Sequence, residues 1–595
     1  MRAKTSVAFV VVLLWLSVTP LITHAEDKYW VGGSGSWDDA NNWSLMERGP
    51  GGAGAPQPGE TAFLIQSDAI DRTVSYVRPE DPYWWFYELR VDATGTGRIT
   101  FLQSQDDLYL PDGGSVSIGI DGTATYNQTG GRLSLGHALV NDGLIKLGIN
   151  PTGNGTYNLE GGLLGLYGVA TVGGYGTGTF NQSGGRAYFE GVVIGDKGTY
   201  NISDGSVGMG GENLGVTVNP GGAINQSGGT VYLSADNSMM GTYNLSGGTL
   251  NKGSQTLDIS GTFNQSGGTL AGGYSTLDIS GTFNQSGGTN VVPTGYGPYN
   301  WGTSNSGTYN LSGGILTFVD YGFFDTGIEN SGTFNYSGGS MVLTDPRPDP
   351  DPSFVGFNNS GTFNLSGSGT RTVEGNILNT GTVKTTHTTA VYNGTFTNNG
   401  AYISDPAVNY FEDLTIGEKG YLVGGAYDHF YISGDFENHS LMDIDWATEA
   451  AHLAFIHDIN ILTDKGDMLH DFYLTGSDYG ASLDGYANNF AWGTLDVTDN
   501  YLTFYDGNSE EGAALYLREL WGLGMLDELI TNLFGFDGLN VYYMAQLPGN
   551  SYLGGLTYEL SGGGYLRPIV PEPSTMLLVG TSLIALVGFR RRFKG

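Results

Sequence analysis

The side chains best suited to chemistry sit late in the chain. His452, His457, Asp458, His470 and Asp471 are all of types that hold a transition metal or relay a proton. Their spacing argues against a zinc site, because His452 and His457 are five apart and match no H-E-x-x-H pattern. They read as surface groups. Asp464, Asp467, Asp478, Asp484, Asp496, Asp499 and Asp506 supply oxygen ligands of the kind calcium takes. None has EF-hand spacing, and the glycine–aspartate nonapeptide of calcium β-rolls is missing. The expectation is no metal site and no cofactor, with a calcium-stabilised loop left open. Cysteine chemistry is excluded, since the 595 residues include no cysteine. No glycine pair is followed by the lysine and helix of a phosphate cradle, and no serine lies in a nucleophile elbow.

Glycan cleavage on an elongated scaffold would need unique charged residues converging on a groove. Between Gly241 and Gly288 the charged residues are Lys252, Asp258 and Asp278 alone, and the two aspartates are twenty apart in equivalent positions. Periodic stacking explains them more simply than catalysis does. No catalytic residue is expected.

The elements that carry these residues announce themselves as repeats. Gly178-Thr179-Phe180-Asn181-Gln182-Ser183-Gly184-Gly185 is one copy of a phrase that starts again at Gly241, Gly261, Gly281, Gly307 and Gly332. Looser copies centre on Tyr126, Tyr157, Tyr200, Ile224 and Phe363, giving eleven in all, with tightest spacings of 19, 20 and 20 residues. Longer intervals carry insertions such as Asp345 to Pro352. A period near twenty predicts one coil of a parallel β-solenoid: three short strands plus turns, with coils stacked ~4.8 Å apart. Propeller blades need about forty residues and fit badly. Within a coil, Leu257, Ile259, Gly261 and Phe263 alternate with Asp258, Ser260, Thr262 and Asn264, which predicts an apolar inner face and a polar outer one. The aromatics should stack inside, and Asn244, Asn264 and Asn284 should form an amide ladder. The Gly-Gly pair suits a turn with positive φ. The Asn-x-Ser/Thr triplets therefore read as turns and ladder rather than glycan acceptors.

Composition agrees. Glycine occurs 99 times, and aromatics make up 12% against 14% charged residues, which excludes collagen and disorder. The net charge is −35. Without Arg2, Lys4, Glu572, Arg590, Arg591, Arg592 and Lys594 the body keeps 18 basic and 58 acidic residues, a net of −40. Such a surface repels nucleic acid and anionic lipid.

Both ends read as addresses. Arg2 and Lys4, the apolar run Val7 to Val18, and Thr23-His24-Ala25 before Glu26 have the three parts of a secretory signal, with cleavage expected between Ala25 and Glu26. At the other end stand Val570-Pro571-Glu572-Pro573-Ser574-Thr575, an apolar stretch from Met576 to Phe589, and Arg590-Arg591-Arg592-Phe593-Lys594-Gly595. This tail resembles the PEP-CTERM sorting domain, whose motif residues Pro571, Glu572 and Pro573 all match. The resemblance implies recognition by an exosortase, a membrane transpeptidase-like protease that cuts near the motif. It implies a transmembrane helix with the basic cluster as stop-transfer inside, so that the body lies outside the inner membrane. Trp30-Val31-Gly32-Gly33-Ser34-Gly35-Ser36-Trp37, with Trp43, resembles the opening of autotransporter-passenger solenoids. These tryptophans, helped by Trp84, Trp85 and Phe86, should cover the first open edge. The segment Gly434-Asp435-Phe436 and the ending Tyr552 to Leu566 resemble a terminal module that follows solenoids in similar sorting-signal proteins.

The expected organisation is all-β: signal peptide 1–25, N-terminal cap and first coils 26–120, repeat solenoid 121–400, C-terminal β-rich module 401–568, and sorting signal 569–595. One helix is expected over Ala513 to Phe534, from Leu515, Leu517, Leu520 and Leu523 on one face. The function this implies is an exported, non-enzymatic structural or adhesive protein of the cell envelope or exopolysaccharide. Its expected partners are an exosortase-type processing enzyme and surface glycans, and its expected place is the membrane first, then the cell surface or extracellular matrix. The alternative is a polysaccharide lyase or hydrolase with its site in the insertions or the C-terminal module.

Overall fold

A twenty-residue apolar–polar alternation can bury its inner face only by stacking on its neighbours, and the chain does this along its length. The computed structural model describes residues 26–570 apart from 79–84, 137–141, 210–214, 254, 273–275, 294–301, 320–325, 345–353, 458–468, 508–511 and 536–537. One coil is Leu257–Ile259, Thr262–Gln265 and Thr269–Ala271, after which Leu277–Ile279 starts the next. Each strand pairs in parallel with its counterpart twenty residues on, Leu257 with Leu277 and Phe263 with Phe283. Three parallel sheets result. The first, built from the repeat phrase, ends at Tyr421–Val423; the second and third continue to Tyr565–Ile569 and Tyr558–Ser561. Leu257, Ile259 and Phe263 are fully buried, whereas Asp258, Thr262 and Asn264 keep partial solvent contact.

Two glycine positions are fixed by geometry. Gly261 lies at the corner between two sheets, where a Cβ would sit 2.1 Å from the carbonyl oxygen of Gly241 in the coil before. Gly281, Gly307 and Gly332 repeat that approach. In the Gly-Gly pair of the repeat phrase, the second member has positive φ, +65° at Gly268 and +70° at Gly288, a region that Cβ-bearing residues resist.

The interior holds the aromatic column. Tyr126, Tyr157 and Phe180 stack at 4.7 and 4.8 Å; Ile224 interrupts the series; and Tyr243, Phe263, Phe283, Tyr309 and Phe334 resume it at 4.7 to 5.0 Å. At the N-terminal end the first strand, Lys28–Trp30, pairs antiparallel with Trp43–Ser44. Trp37 and Trp43 are wholly buried there, and Trp37 stacks on Phe86 at 5.3 Å, so apolar rings cover the open end. Trp84 lies outside the described residues. The other end closes with two antiparallel pairings, Met525–Leu526 against Leu529–Gly535 and Tyr558–Ser561 against Tyr565–Ile569. Reversed strands at both ends leave less unpaired edge for another chain to join.

After residue 401 the phrase is lost but the coil is not. Val408–Ile416, His429–Ile432, Thr448–Phe455, Trp492–Asp496, Ala514–Trp521 and Asn540–Met544 continue the second sheet in parallel. The change at 401 is one of sequence within a continuing parallel stack.

The helix expected over Ala513 to Phe534 is not formed. That segment is three strands, Ala514–Trp521, Met525–Leu526 and Leu529–Gly535, the first two joined by the turn through Gly522 and Gly524. Leu515, Leu517 and Leu520 are all buried, and Tyr516 is buried as well, packed on Tyr486 and Tyr542; pairing with the existing sheet edge overrides leucine's helix propensity. The expected transmembrane helix at Met576 to Phe589 falls outside the described residues. Among the described residues, no helix is long and apolar enough to cross a membrane.

Candidate functional site: polar ladders and an aromatic outer patch

The outward-facing side chains of the repeat sheet form one continuous array. Asn127, Asn158, Asn181, Asn201, Asn225, Asn244, Asn264, Asn284, Asn310, Asn335 and Asn364 are joined by amide-to-amide hydrogen bonds of 2.7 to 2.9 Å. Parallel in-register strands require this: identical amides one strand spacing apart satisfy each other along the axis. Every asparagine of the phrase is thereby engaged.

A second column was missed from sequence. Asn305, Asn330, Asn359, Asn379 and Asn398 are buried at the corner before the phrase and joined at 2.6 to 2.7 Å. Their signal was Asn-Ser-Gly-Thr, or a near variant, at the position where earlier coils carry Ile259 or Ile279.

The metal and acid candidates do not converge. His470 is wholly buried, with Nδ1 at 2.8 Å from the Gly434 carbonyl and Nε2 at 3.2 Å from Asn500 Oδ1, which makes it a core residue. His457 is exposed, with Nε2 3.1 Å from the Asp499 carbonyl. Asp478 accepts hydrogen bonds from Tyr542 and Asn540, and Asp496 caps Thr498. Asp471 pairs with Thr503 across strands; burial, with Asp435 and Glu437 nearby, pushes its carboxyl up. Asp484 sits in a short 3-10 turn and Asp499 has left-handed φ, while Asp506 ends the strand Tyr501–Asp506. Asp458, Asp464 and Asp467 lie outside the described residues. Among the described residues, no group of three or more metal-ligating side chains comes together. Asp258 and Asp278 are register partners; burial and Asp258's charge raise the Asp278 carboxyl, and burial lowers the neighbouring Lys252 to about 8.

What does converge is a set of rings on the outer face of the second sheet, in coils without the repeat phrase. Tyr410 and Tyr431 are register partners stacked at 4.7 Å, 15° from parallel. Tyr431 lines up with Ala454, then Asp496, then Trp521. Beside them His429 lines up with His452, Thr494 and Glu519, and the two imidazoles are 5.1 Å apart. The Trp521 ring lies 5.4 Å from His452 and is 40% exposed. Burial, and then His429, hold the His452 imidazole below its ordinary pKa, so it is neutral at pH 7. The His429 Nδ1 is buried with no hydrogen-bond partner.

Of these, sequence reading singled out His452 and Asp496 but not Tyr410, His429, Tyr431 or Trp521. Their signal was alternation: His429 and Tyr431 face out because Phe430 and Ile432 face in.

The sorting residues Pro571, Glu572 and Pro573, the cluster Arg590, Arg591, Arg592 and Lys594, and Ala25 all lie outside the described residues. Glu26 is exposed at the start of the coil. The chain matches the PEP-CTERM protein-sorting motif over residues 570–592. No curated protein and no solved structure matches it.

Proposed function

We propose that this chain is a non-enzymatic structural or adhesive protein of the cell envelope or exopolysaccharide. The observation that carries the reading is the sorting motif at 570–592, which implies export, membrane-anchored sorting and exosortase processing. It stands directly after a rod of stacked coils that ends at Ile569. A secretory signal cut between Ala25 and Glu26 would take the chain out, and the tail would hold it until Pro571-Glu572-Pro573 is processed. The body would then stay on the surface or in the matrix, presenting one polar pattern many times, so that weak contacts sum by avidity. Glycans are the proposed partners. No cofactor enters the reading, and calcium would do no more than brace a loop.

Replacing Pro571, Glu572 and Pro573 with alanine should leave the protein in the inner membrane with its tail uncut; normal processing of that variant refutes the sorting step. Incubating the purified body with the producer's own polysaccharide should give retention and no shortened product. New reducing or unsaturated chain ends would establish the lyase or hydrolase alternative instead.

A further inference from the structure

We propose that the outer patch formed by Tyr410, Tyr431, His429, His452, Asp496 and Trp521 is a binding platform for a neutral, linear polysaccharide laid along the solenoid axis. This rests on the adhesive reading above and gives it a place and a ligand class.

Three observations carry it. The first is shape. Tyr410, Tyr431, Ala454, Asp496 and Trp521 form a single column over five successive strands. At ~4.8 Å per strand the column spans about 19 Å, a length suited to several sugar rings in a row rather than to one small ligand. Ala454, in the middle of the column, is itself buried.

The second is chemistry. Sugars present C–H faces that stack on aromatic rings and hydroxyl edges that need hydrogen-bond partners. Trp521, 40% exposed, offers ring surface, while Tyr410 and Tyr431, stacked on each other, present their edges and hydroxyls. The His429 and His452 rings carry nitrogen hydrogen-bonding groups, and the Asp496 carboxylate accepts. Asp496 lies close enough to Tyr431 and His452 to act electrostatically on both.

The third is charge. The patch carries Asp496 and Glu519 and sits on a body of net charge −40 once both end segments are set aside. A polyanionic glycan would be repelled, while an uncharged one enters without an electrostatic cost.

The test uses the full exported chain with two probes, cellohexaose as a neutral linear glycan and hexagalacturonate as its acidic counterpart, by isothermal titration calorimetry. Cellohexaose should bind saturably and hexagalacturonate at least tenfold more weakly. Trp521→Ala and Tyr431→Ala should each weaken cellohexaose tenfold or more. Tyr232→Ala removes a ring that is 51% exposed elsewhere on the same sheet and should change nothing. Unaltered circular dichroism would confirm that these outward-facing changes leave the fold intact. Cellohexaose binding that survives both patch variants overturns the platform but leaves the adhesive reading standing. Tighter binding of hexagalacturonate overturns the ligand class. Absence of binding to either probe overturns the platform, and only a further failure to retain the producer's own polysaccharide overturns the adhesive reading.

Discussion

Replacing Phe283 with tyrosine should stabilise the solenoid, because it would give Gln265 the phenol that its counterparts in other coils accept from. The residue two past each phrase aromatic lies inside, against the ring of the next coil. Where that ring is tyrosine, the lower residue is glutamine and accepts the phenol: Tyr126 on Gln103, Tyr157 on Gln128, Tyr200 on Gln182, Tyr243 on Gln226 and Tyr309 on Gln285, all at 2.6 to 2.7 Å. Where the ring is Phe180, Phe263 or Phe334, the lower residue is Leu159, Leu245 or Leu311. Gln265, two past Phe263, holds the place of those glutamines in the coil before Phe283, and its Oε1 is buried with no partner. An orphaned buried acceptor costs about 1–3 kcal/mol, and a hydrogen bond made in its place contributes about 1 kcal/mol net. Phe283→Tyr should therefore gain about 1–2 kcal/mol. Tyr243→Phe, which orphans Gln226, should lose a similar amount. Gln265→Leu alone also removes the orphan, though it frees the Thr289 carbonyl that the amide now serves at 3.0 Å. Combining Phe283→Tyr with Gln265→Leu buries a hydroxyl with no acceptor, so the double variant should fall short of the sum of the singles by about 1–3 kcal/mol. Stacked arrays open locally, so urea unfolding is best joined to hydrogen exchange at the amides of residues 262–265 and 282–285. Protection there should rise in Phe283→Tyr. Equal or lower protection, with no coupling in the double variant, refutes this pairing.

Gly261→Ala should cost at least about 2 kcal/mol, since its Cβ would press on the Gly241 carbonyl, whereas Gly33→Ala meets nothing within 4 Å and should be silent by urea unfolding. The depressed pKa of His452 means that the unfolded chain binds its proton first. Stability contributed there is complete above about pH 6.5 and is lost as pH falls through the lower folded value, and His452→Gln should flatten that slope in acid titrations monitored by circular dichroism. Deleting Gly261 to Ser280 should preserve the fold and set Leu245 under Phe283, a matched pair. Deleting Gly241 to Ser260 sets Gln226 under Phe263, and thermal melts should rank it the less stable.

Much of the architecture was legible because its cause is local and repeated. A twenty-residue period with alternating burial specifies parallel stacking, and the outer asparagine ladder follows from stacking alone. The buried column from Asn305 to Asn398 was not legible, because a lone asparagine in place of Ile279 reads as a polar corner until its neighbours above and below are seen. The segment from Ala513 to Phe534 was misread for a related reason: leucines at 515, 517, 520 and 523 suit either period, and the choice is made by a sheet edge that sequence does not display. The outer patch escaped because each of its residues is ordinary by itself. Parallel register, not chain spacing, brings Tyr410 beside Tyr431 and His429 beside His452.

Periodicity also limits where specific recognition can arise. In the coils from Gly241 to Gly288, an outward residue stands over a near copy of itself, as Asp258 does with Asp278 and Asn264 with Asn284. Such a face can offer one group many times but cannot bring different groups together at one spot. A site needs unlike neighbours, and those arise where the phrase stops while stacking continues. From Val408 to Trp521 the inner residues stay mainly apolar, with hydrogen-bonded exceptions such as Asn409 and His470, and keep the coil closed, which frees the outer positions from any repeat. Tyrosine, histidine, threonine, aspartate and tryptophan then occur side by side for the first time. On the proposed adhesive reading the solenoid divides the work: identical coils would give length and multivalent display, and the irregular coils beyond them are where selectivity for one ligand would be built.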